Sequence, residues 1–471
     1  MLYEKIKAYT ESGVYPMHMP GHKRNTDALA PGMPYDIDIS EICGFDNLHN
    51  PRGILRETAE AAAHVYGSNK AFLLINGSTA GILAAIGAHA GQGDKILMTR
   101  NCHISVYNAV SLFGLKPVYI MPGTDEATGI AHSVDPDYIK SALELDKDIK
   151  LAVVTSPTYE GVVSDINSIA AIAHERNIPL LVDEAHGAHL GFSDRFPDSA
   201  IHEGADISVM SLHKTLPALT QCALLHVCGG RADITGISRM LDILQTTSPS
   251  YVLMASIDRC LRLLDSEKDW LFSEYWQNLD RFSKEIEALK RLSVLNKGSD
   301  ASRSGYYRLD PGKIVIATDK TALIGTVLTE MLRMDYGIEL EMASVNYAIA
   351  MTSVCDTADG FRRLSDALIA IDRSLPDAQD GVISGLQSLP LPAQAESPGG
   401  AIRRSGRFVP LIGSIGTVSL EYVWAYPPGV PVIAPGEIIS EEAISYIYLM
   451  FRAGIDIKST KGKLPQMIYV C

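Results

Sequence analysis

An α/β architecture with a mainly parallel sheet is indicated by three features of this sequence. Short, continuously apolar runs recur at regular intervals between residues 71 and 227. Helix-like stretches lie between several of them, the pattern of buried strands covered by helices on both faces. Polar and small residues (Asn76-Gly-Ser-Thr79, Asp183, Lys214) stand directly after individual runs, where ligands bind in open α/β sheets.

In chain order, residues 1–50 come first; they are rich in Pro, Gly, His and Asp and show no long helical period after the opening turns. They read as an arm packed over another surface. The large domain is expected over 51–300. Glu57 to Tyr66 reads as a helix, Ala71 to Ile75 as a buried strand, and Ala80 to Ala90 as the next helix. Further apolar runs at 95–98, 117–121, 151–155, 179–182, 207–210 and 223–227 read as strands, with a helix over 166–176. Tyr251 to Asp265 and Glu267 to Lys290 read as one or two long helices. A smaller α+β unit is expected over 301–374, with strands at 313–318 and 347–353 and helices at 321–334 and 357–374. Pro, Gly, Ser, Ala and Gln dominate 375–407, a linker or loop by composition. Residues 408–471 complete the smaller unit and close on a helix from Glu441. No internal repeat is found.

Composition excludes several classes. The chain has 471 residues, 46% hydrophobic and 20% charged, which rules out wholesale disorder and allows two or three domains. A net charge of −14 argues against a general nucleic-acid binder and leaves room for a small cationic substrate. Seven scattered cysteines include no Cys-x-x-Cys pair, so neither a disulfide framework nor a zinc ribbon is expected. The opening residues, Met1-Leu-Tyr-Glu-Lys-Ile-Lys, hold no apolar core of a secretory signal. The most apolar stretch, Ala71 to Ala90, is broken by Asn76, Gly77, Ser78, Thr79 and His89, so no membrane span is expected. The expected compartment is the cytoplasm.

Chemistry concentrates at strand ends. Lys214, in Ser211-Leu-His-Lys214-Thr215, stands just past a buried strand; a desolvated amine there has a lowered pKa and forms a Schiff base with an aldehyde. Alone it would read as a solvated loop lysine. Asp183 closes another apolar run and is the residue type that keeps a pyridine nitrogen protonated; its bland reading is a helix N-cap. One helix and one more strand fit between Asp183 and Lys214, which suits two residues at one sheet edge. Gly77, Ser78 and Thr79 open a helix and offer N–H groups and hydroxyls to an anion, or else a plain N-cap. His103 comes after the next strand, where an imidazole can stack on an aromatic cofactor. Phosphate cradle, stacking ring, pyridine partner and amine together fit one ligand, pyridoxal 5′-phosphate.

Taken with these residues, the chain resembles the ornithine/lysine/arginine decarboxylase family of fold type I pyridoxal-phosphate enzymes. The matching strings are Met19-Pro-Gly-His-Lys23, Asp38-Ile-Ser-Glu41, Asp46-Asn-Leu-His49, Asn76-Gly-Ser-Thr79, Arg100-Asn-Cys-His103, Ser156-Pro-Thr-Tyr159-Glu-Gly161, Asp183-Glu-Ala-His186-Gly-Ala-His189, Ser211-Leu-His213-Lys214-Thr215, Thr247-Ser-Pro-Ser-Tyr251 and Tyr426 to Glu437. They run across almost the whole chain. The resemblance implies that Lys214 is the Schiff-base lysine, that Asp183 pairs with the pyridine nitrogen and that His103 stacks on the ring. It implies that Ser78, Thr79, Ser211 and His213 hold the phosphate, that His186 lies near the ring, and that Lys214 or His213 returns a proton to the α-carbon. Glu437 is the residue expected to grip the distal cation of a basic amino-acid substrate. A homodimer with sites at the interface, and the short form of the family without a receiver-like domain, are also implied. In one departure, Gly416-Thr417-Val418 stands where the family has a Gly-Arg-Ile-like string.

The rival on the same fold is an aminotransferase or a carbon–sulfur lyase, because the cofactor supports several bond cleavages. An aminotransferase needs an arginine clamp on the α-carboxylate, and Arg403, Arg404, Arg407 and Arg452 are the candidates. The helicase-like spelling Asp183-Glu-Ala-His186 lacks a phosphate-binding loop, no Gly-x-Ser-x-Gly elbow of a serine hydrolase occurs, and the His186/His189 pair has no further ligand at metal spacing.

Overall fold

A computed structural model describes residues 1–25, 32–295, 305–376, 391–426 and 429–471. Its centre is a seven-stranded sheet in the order Lys70–Leu74, Ala223–Val227, Ile207–Ser211, Leu180–Asp183, Ile149–Thr155, Lys95–Thr99, Lys116–Ile120. Only Ala223–Val227 runs antiparallel to its neighbours; the pairings from Ile207–Ser211 outwards are parallel. Both faces are covered, as the unbroken apolar runs require. Helices Gly77–His89, Ile104–Phe113 and Ile234–Leu244 pack on one side through Ile82, Ile86, Val106, Val110, Ile237 and Leu241. On the other side Ile139, Leu143, Ile166 and Ile169 cover Ala152, Val154, Leu180 and Val182.

The register brings the strand ends together. Leu74 and Ser211 both pair with Ala223, and Asp183 lies beside Val209 on one side and Thr155 on the other. The residues that come after each of these strands therefore emerge along one edge of the sheet, where a doubly wound fold places its ligands.

Three sequence expectations change in detail. The helix expected from Ala80 begins at Gly77, so Gly77, Ser78 and Thr79 form its first turn. The region 251–290 holds one helix, Tyr251–Glu285, because no Gly or Pro interrupts it and the buried stripe continues from Leu264 through Leu271, Phe272, Tyr275, Leu279 and Phe282. Within 375–407, residues 377–390 lie outside the described residues, while Pro398–Ala401 forms a buried turn against Ser111 of the helix Ile104–Phe113. The arm also contributes a helix, Leu2–Glu11, whose Leu2 and Ile6 bury against Tyr251, Met254 and Ala255.

The smaller unit has two parts. A four-stranded antiparallel sheet (Met342–Ala343, Tyr347–Met351, Lys313–Ala317, Ser293–Val294) carries the helices Gly325–Tyr336 and Ala358–Ser374 and shares a core with Tyr251–Glu285. The last part holds a three-stranded sheet of Val430–Ile433, Val423–Ala425 and Ile457–Ser459 under the helix Glu441–Arg452, with its own core around Ile433, Ile444, Ile447 and Val470. This part reaches back over the large sheet and closes the site.

Candidate active site

A cavity of about 680 Å³ opens along the sheet edge. Its walls include Ser78, His103, Asp183, His186 and Lys214 from the large domain, Glu341 and Tyr347 from the four-stranded sheet, and Tyr426 and Glu437 from the last part. Residues far apart in sequence thus converge as the strand ends require.

Lys214 sits in the helical turn Leu212–Thr215 directly after its strand, and its Nζ is 3.0 Å from His186 Nε2. Burial lowers its pKa, opposed by the charges of Asp183 and Glu341. An amine in that state is a nucleophile for an aldehyde. Asp183 is buried, and among the described residues its Oδ1 accepts a local bond from the Ala185 N–H (3.2 Å). Turns rather than a helix come after it, so the N-cap reading falls away. Its neighbour Glu184 points behind the sheet, where Ser199, Ser208 and the Ala200 N–H hold it, and burial pushes its carboxyl up to about 8.

His103 occupies the N-cap of the helix Ile104–Phe113, its Nδ1 accepting from the Ser105 N–H (3.2 Å). Burial lowers its pKa, so the ring is neutral. The loop at Gly429 packs so closely that a Cβ there would lie 3.2 Å from the His103 ring, and Gly429 has a φ of +85°. The positive φ favours glycine there, and a side chain would also press on the ring. His186 packs against Tyr159, ring centroids 4.5 Å apart.

Of the expected phosphate cradle, Ser78 lines the cavity. Asn76 stands at the N-cap of the helix Gly77–His89 but makes no capping bond; its side-chain oxygen instead accepts from the Thr246 N–H (3.3 Å). Nothing lies within 4 Å of where a Cβ on Gly77 would be. The hydroxyls of Ser211 and Thr215 are buried and without hydrogen-bond partners among the described residues. An uncapped helix start and, separately, unpartnered buried hydroxyls are each features that an anion satisfies. The chemistry of the residues present fits pyridoxal 5′-phosphate. His213 is half-buried and does not line the cavity; its Nδ1 lies 3.0 Å from the Cys222 carbonyl. Thr79 is exposed.

Glu437 reaches the cavity as expected, but its charge is already engaged. Arg100 donates from Nη2 to Glu437 Oε2 (3.1 Å) and to the Val432 carbonyl, and from Nη1 to Tyr107 and the Pro431 carbonyl. The Ala434 N–H also donates to that carboxylate (2.7 Å). Thr417, standing in for the family arginine, bonds locally to the Ser414 carbonyl. Other carboxylates on the wall are Glu341, which accepts from the Tyr159 hydroxyl, and Glu160, which accepts from Tyr347 (2.9 Å) and Thr158 (2.9 Å). Sequence reasoning had no signal for Glu341 or for Lys313, because neither lies at the end of a strand of the large sheet. The imidazoles of His186 and His189 part company: His189 Nε2 lies 3.2 Å from Asp310 Oδ1. Among the described residues no helix is long and apolar enough to cross a membrane.

Comparison with known proteins agrees with this geometry. The family description "Orn/Lys/Arg decarboxylase, major domain" matches residues 1–313, and its C-terminal domain matches residues 387–457. An arginine decarboxylase of Bacillus subtilis is 33% identical, covering 100% of this chain and 97% of its own length. Another, from Bacillus anthracis, is 31% identical over 100% and 96%. Among solved structures, the Francisella novicida lysine decarboxylase LdcF superposes with a TM-score of 0.82 at 20% identity, covering this chain fully and 80% of itself. A Nostoc alanine–glyoxylate aminotransferase shares the fold more loosely, TM-score 0.54 at 15% identity, over 67% of this chain and 86% of its own. The fold is thus that of fold type I pyridoxal-phosphate enzymes, and the chain belongs to the Orn/Lys/Arg decarboxylase family.

Proposed function

We propose that this protein decarboxylates a basic amino acid at its α-carbon with pyridoxal 5′-phosphate bound by Lys214, and that arginine is the preferred substrate. The observation that carries the reading is the convergence of Lys214, Asp183 and His103 on one cavity at neighbouring strand ends. The cofactor, when bound, supplies a ring that takes up the electron pair left when carbon dioxide departs. Asp183 would keep a proton on the ring nitrogen, and His103 would stack on the ring. Ser78 on the cavity wall, with the N–H groups of the helix start at Gly77 and Thr79 and the Ser211 hydroxyl, would hold the phosphate, and His213 outside the wall would not. Lys214, which lines the cavity, would return a proton to the α-carbon, whereas His213 stands outside the cavity wall.

Decarboxylation is favoured over transamination by the arginines. None of Arg403, Arg404, Arg407 or Arg452 lines the cavity, and Arg404 is taken by Glu396 at 2.6 Å. Among the described lining residues only Arg100 carries a guanidinium, and Glu437 neutralises it. A substrate carboxylate without a clamp is poorly solvated and gains from losing its charge as carbon dioxide. The distal cation is assigned to the cavity carboxylates Glu341 and Glu160, because Glu437 is already paired with Arg100. Arginine comes first because the relatives above 30% identity carrying a substrate name are arginine decarboxylases.

The product amine suits polyamine synthesis in the cytoplasm, and a homodimer is part of the proposal. Val14, Tyr15, Met17 and Met19 of the arm stand exposed, an apolar strip suited to a second copy. The test is to incubate purified protein and cofactor with arginine, lysine and ornithine, measuring carbon dioxide and amine. Keto-acid formation without carbon dioxide would defeat the reading. A Lys214→Ala protein that kept the visible band of lysine-bound cofactor would defeat the assignment of Lys214.

A further inference from the structure

The loop that carries His103 is tied to the last part of the chain by one buried side chain. Arg100, three residues before the ring, is 5% exposed. Its Nη1 donates to the Pro431 carbonyl (2.6 Å) and the Tyr107 hydroxyl (2.8 Å), and its Nη2 donates to the Val432 carbonyl and to Glu437 Oε2 (both 3.1 Å). Successive carbonyls of a regular strand point to opposite edges, so one guanidinium does not ordinarily meet two of them. A bulge removes that obstacle. Trp424 pairs with Pro431 and Val423 with Ile433, which leaves Val432 unopposed and lets both carbonyls reach Arg100.

The same segment touches the ring. Gly429 accepts from the Ile104 N–H (2.9 Å), and a Cβ on Gly429 would lie 3.2 Å from the His103 ring. The ring's own hydrogen bonds are local: Nδ1 meets the Ser105 hydroxyl (2.9 Å) and N–H (3.2 Å). These turn the imidazole relative to its own helix, but they do not set where that helix start lies over the cavity. One turn further on, the Tyr422 hydroxyl donates to the Tyr107 carbonyl (3.0 Å), a second grip on the helix Ile104–Phe113 away from the ring. A buried ion pair gains little net stability over apolar packing, whereas four acceptors in fixed directions around a planar fork define one geometry.

We propose that Arg100 is a positioning residue for His103: through the bulged carbonyls of Pro431 and Val432 it locks the loop 100–103 to the last part of the chain, so that Gly429 sets the depth of the ring over the cavity. The inference rests on the reading that His103 stacks on the cofactor. It gives the last part of the chain a task in cofactor binding besides closing the site.

The test reads the ring itself. Exchange of the carbon-bound imidazole hydrogen in heavy water, followed peptide by peptide in the cofactor-free protein, reports the exposure of His103. Arg100→Met combined with Glu437→Gln removes the latch without leaving a lone buried charge, and should speed that exchange severalfold. Arg100→Lys keeps a cation beside Glu437 but cannot span both carbonyls, and should move His103 in the same direction; it carries the test where the double variant does not fold. Tyr422→Phe loosens the same helix away from the ring and should leave His103 at its wild-type rate. A double-mutant cycle on pyridoxal-phosphate affinity, read by fluorescence titration, gives the second measurement. Loss of the latch should weaken affinity about tenfold with His103 present and less than about threefold in a His103→Ala background, because a group that acts through the ring has nothing to act on without it. Exchange at the wild-type rate in either folded Arg100 variant overturns the proposal. Equal losses of affinity in both backgrounds, or an equal shift in Tyr422→Phe, overturn it as well, since both mark general loosening. Wild-type protein that gains no visible band with pyridoxal phosphate fails the cofactor reading itself, whereas a normal band with unmoved exchange fails only the assignment of Arg100.

Discussion

Replacing Glu437 by Gln separates two roles that sequence alone cannot distinguish. Glu437 is 1% exposed, and its Oε2 lies 3.1 Å from Arg100 Nη2 and 2.7 Å from the Ala434 N–H. Glutamine keeps the shape and the carbonyl acceptor but leaves the buried guanidinium without an anion. Breaking a buried pair from one side costs about 3–5 kcal/mol. Arg100 keeps three neutral acceptors, Tyr107, Pro431 and Val432, so about 3 kcal/mol is expected here. Spread over a chain of this length, that is a fall in Tm of ~3 °C if the protein unfolds as one unit. Calorimetry without any amino acid present reads the effect. The double variant Arg100→Met/Glu437→Gln should recover part of it, because both charges are then gone. Stability unchanged in Glu437→Gln, with a large rise in KM for the basic amino acid, would refute the view that Glu437 serves the fold and would return it to the substrate.

The remaining predictions concern the cavity and the sheet behind it. Ser211→Ala removes a buried hydroxyl without a protein partner, so the cofactor-free protein should lose no stability. Its affinity for pyridoxal phosphate, read by fluorescence titration, should fall roughly tenfold or more, the worth of a hydrogen bond to a charged group. Glu341→Gln should raise KM for arginine by about ten- to a hundredfold with kcat nearly unchanged, the pattern of lost uniform binding; equal loss in kcat would point instead to a role in the chemical step. Glu184, whose carboxyl burial pushes up to about 8, binds its proton more tightly folded than unfolded. Stability should therefore fall as pH rises from about 4.5 towards 8, by at most ~1.4 kcal/mol per pH unit from this group. Glu184→Gln should flatten that slope in urea titrations at several pH values, and an unchanged slope would remove Glu184 as its cause.

The sequence by itself determined the parallel sheet and the row of reactive residues along it. Unbroken apolar runs such as Leu180-Leu-Val182, recurring between helical stretches, read as strands buried on both faces, and the residues just past parallel strands emerge at one edge. Asp183, Lys214, His103 and Ser78 were legible for that reason. The extent of the helix Tyr251–Glu285 was not, since local composition does not say whether an apolar stripe finds a continuous surface to cover. Only the tertiary structure decided that Glu437 pairs with Arg100 and that Lys313 stands behind His186. Those contacts join residues separated by more than a hundred positions, and no periodicity links them. Their charges are set by burial and by the partner across the gap, and both are properties of the packed fold.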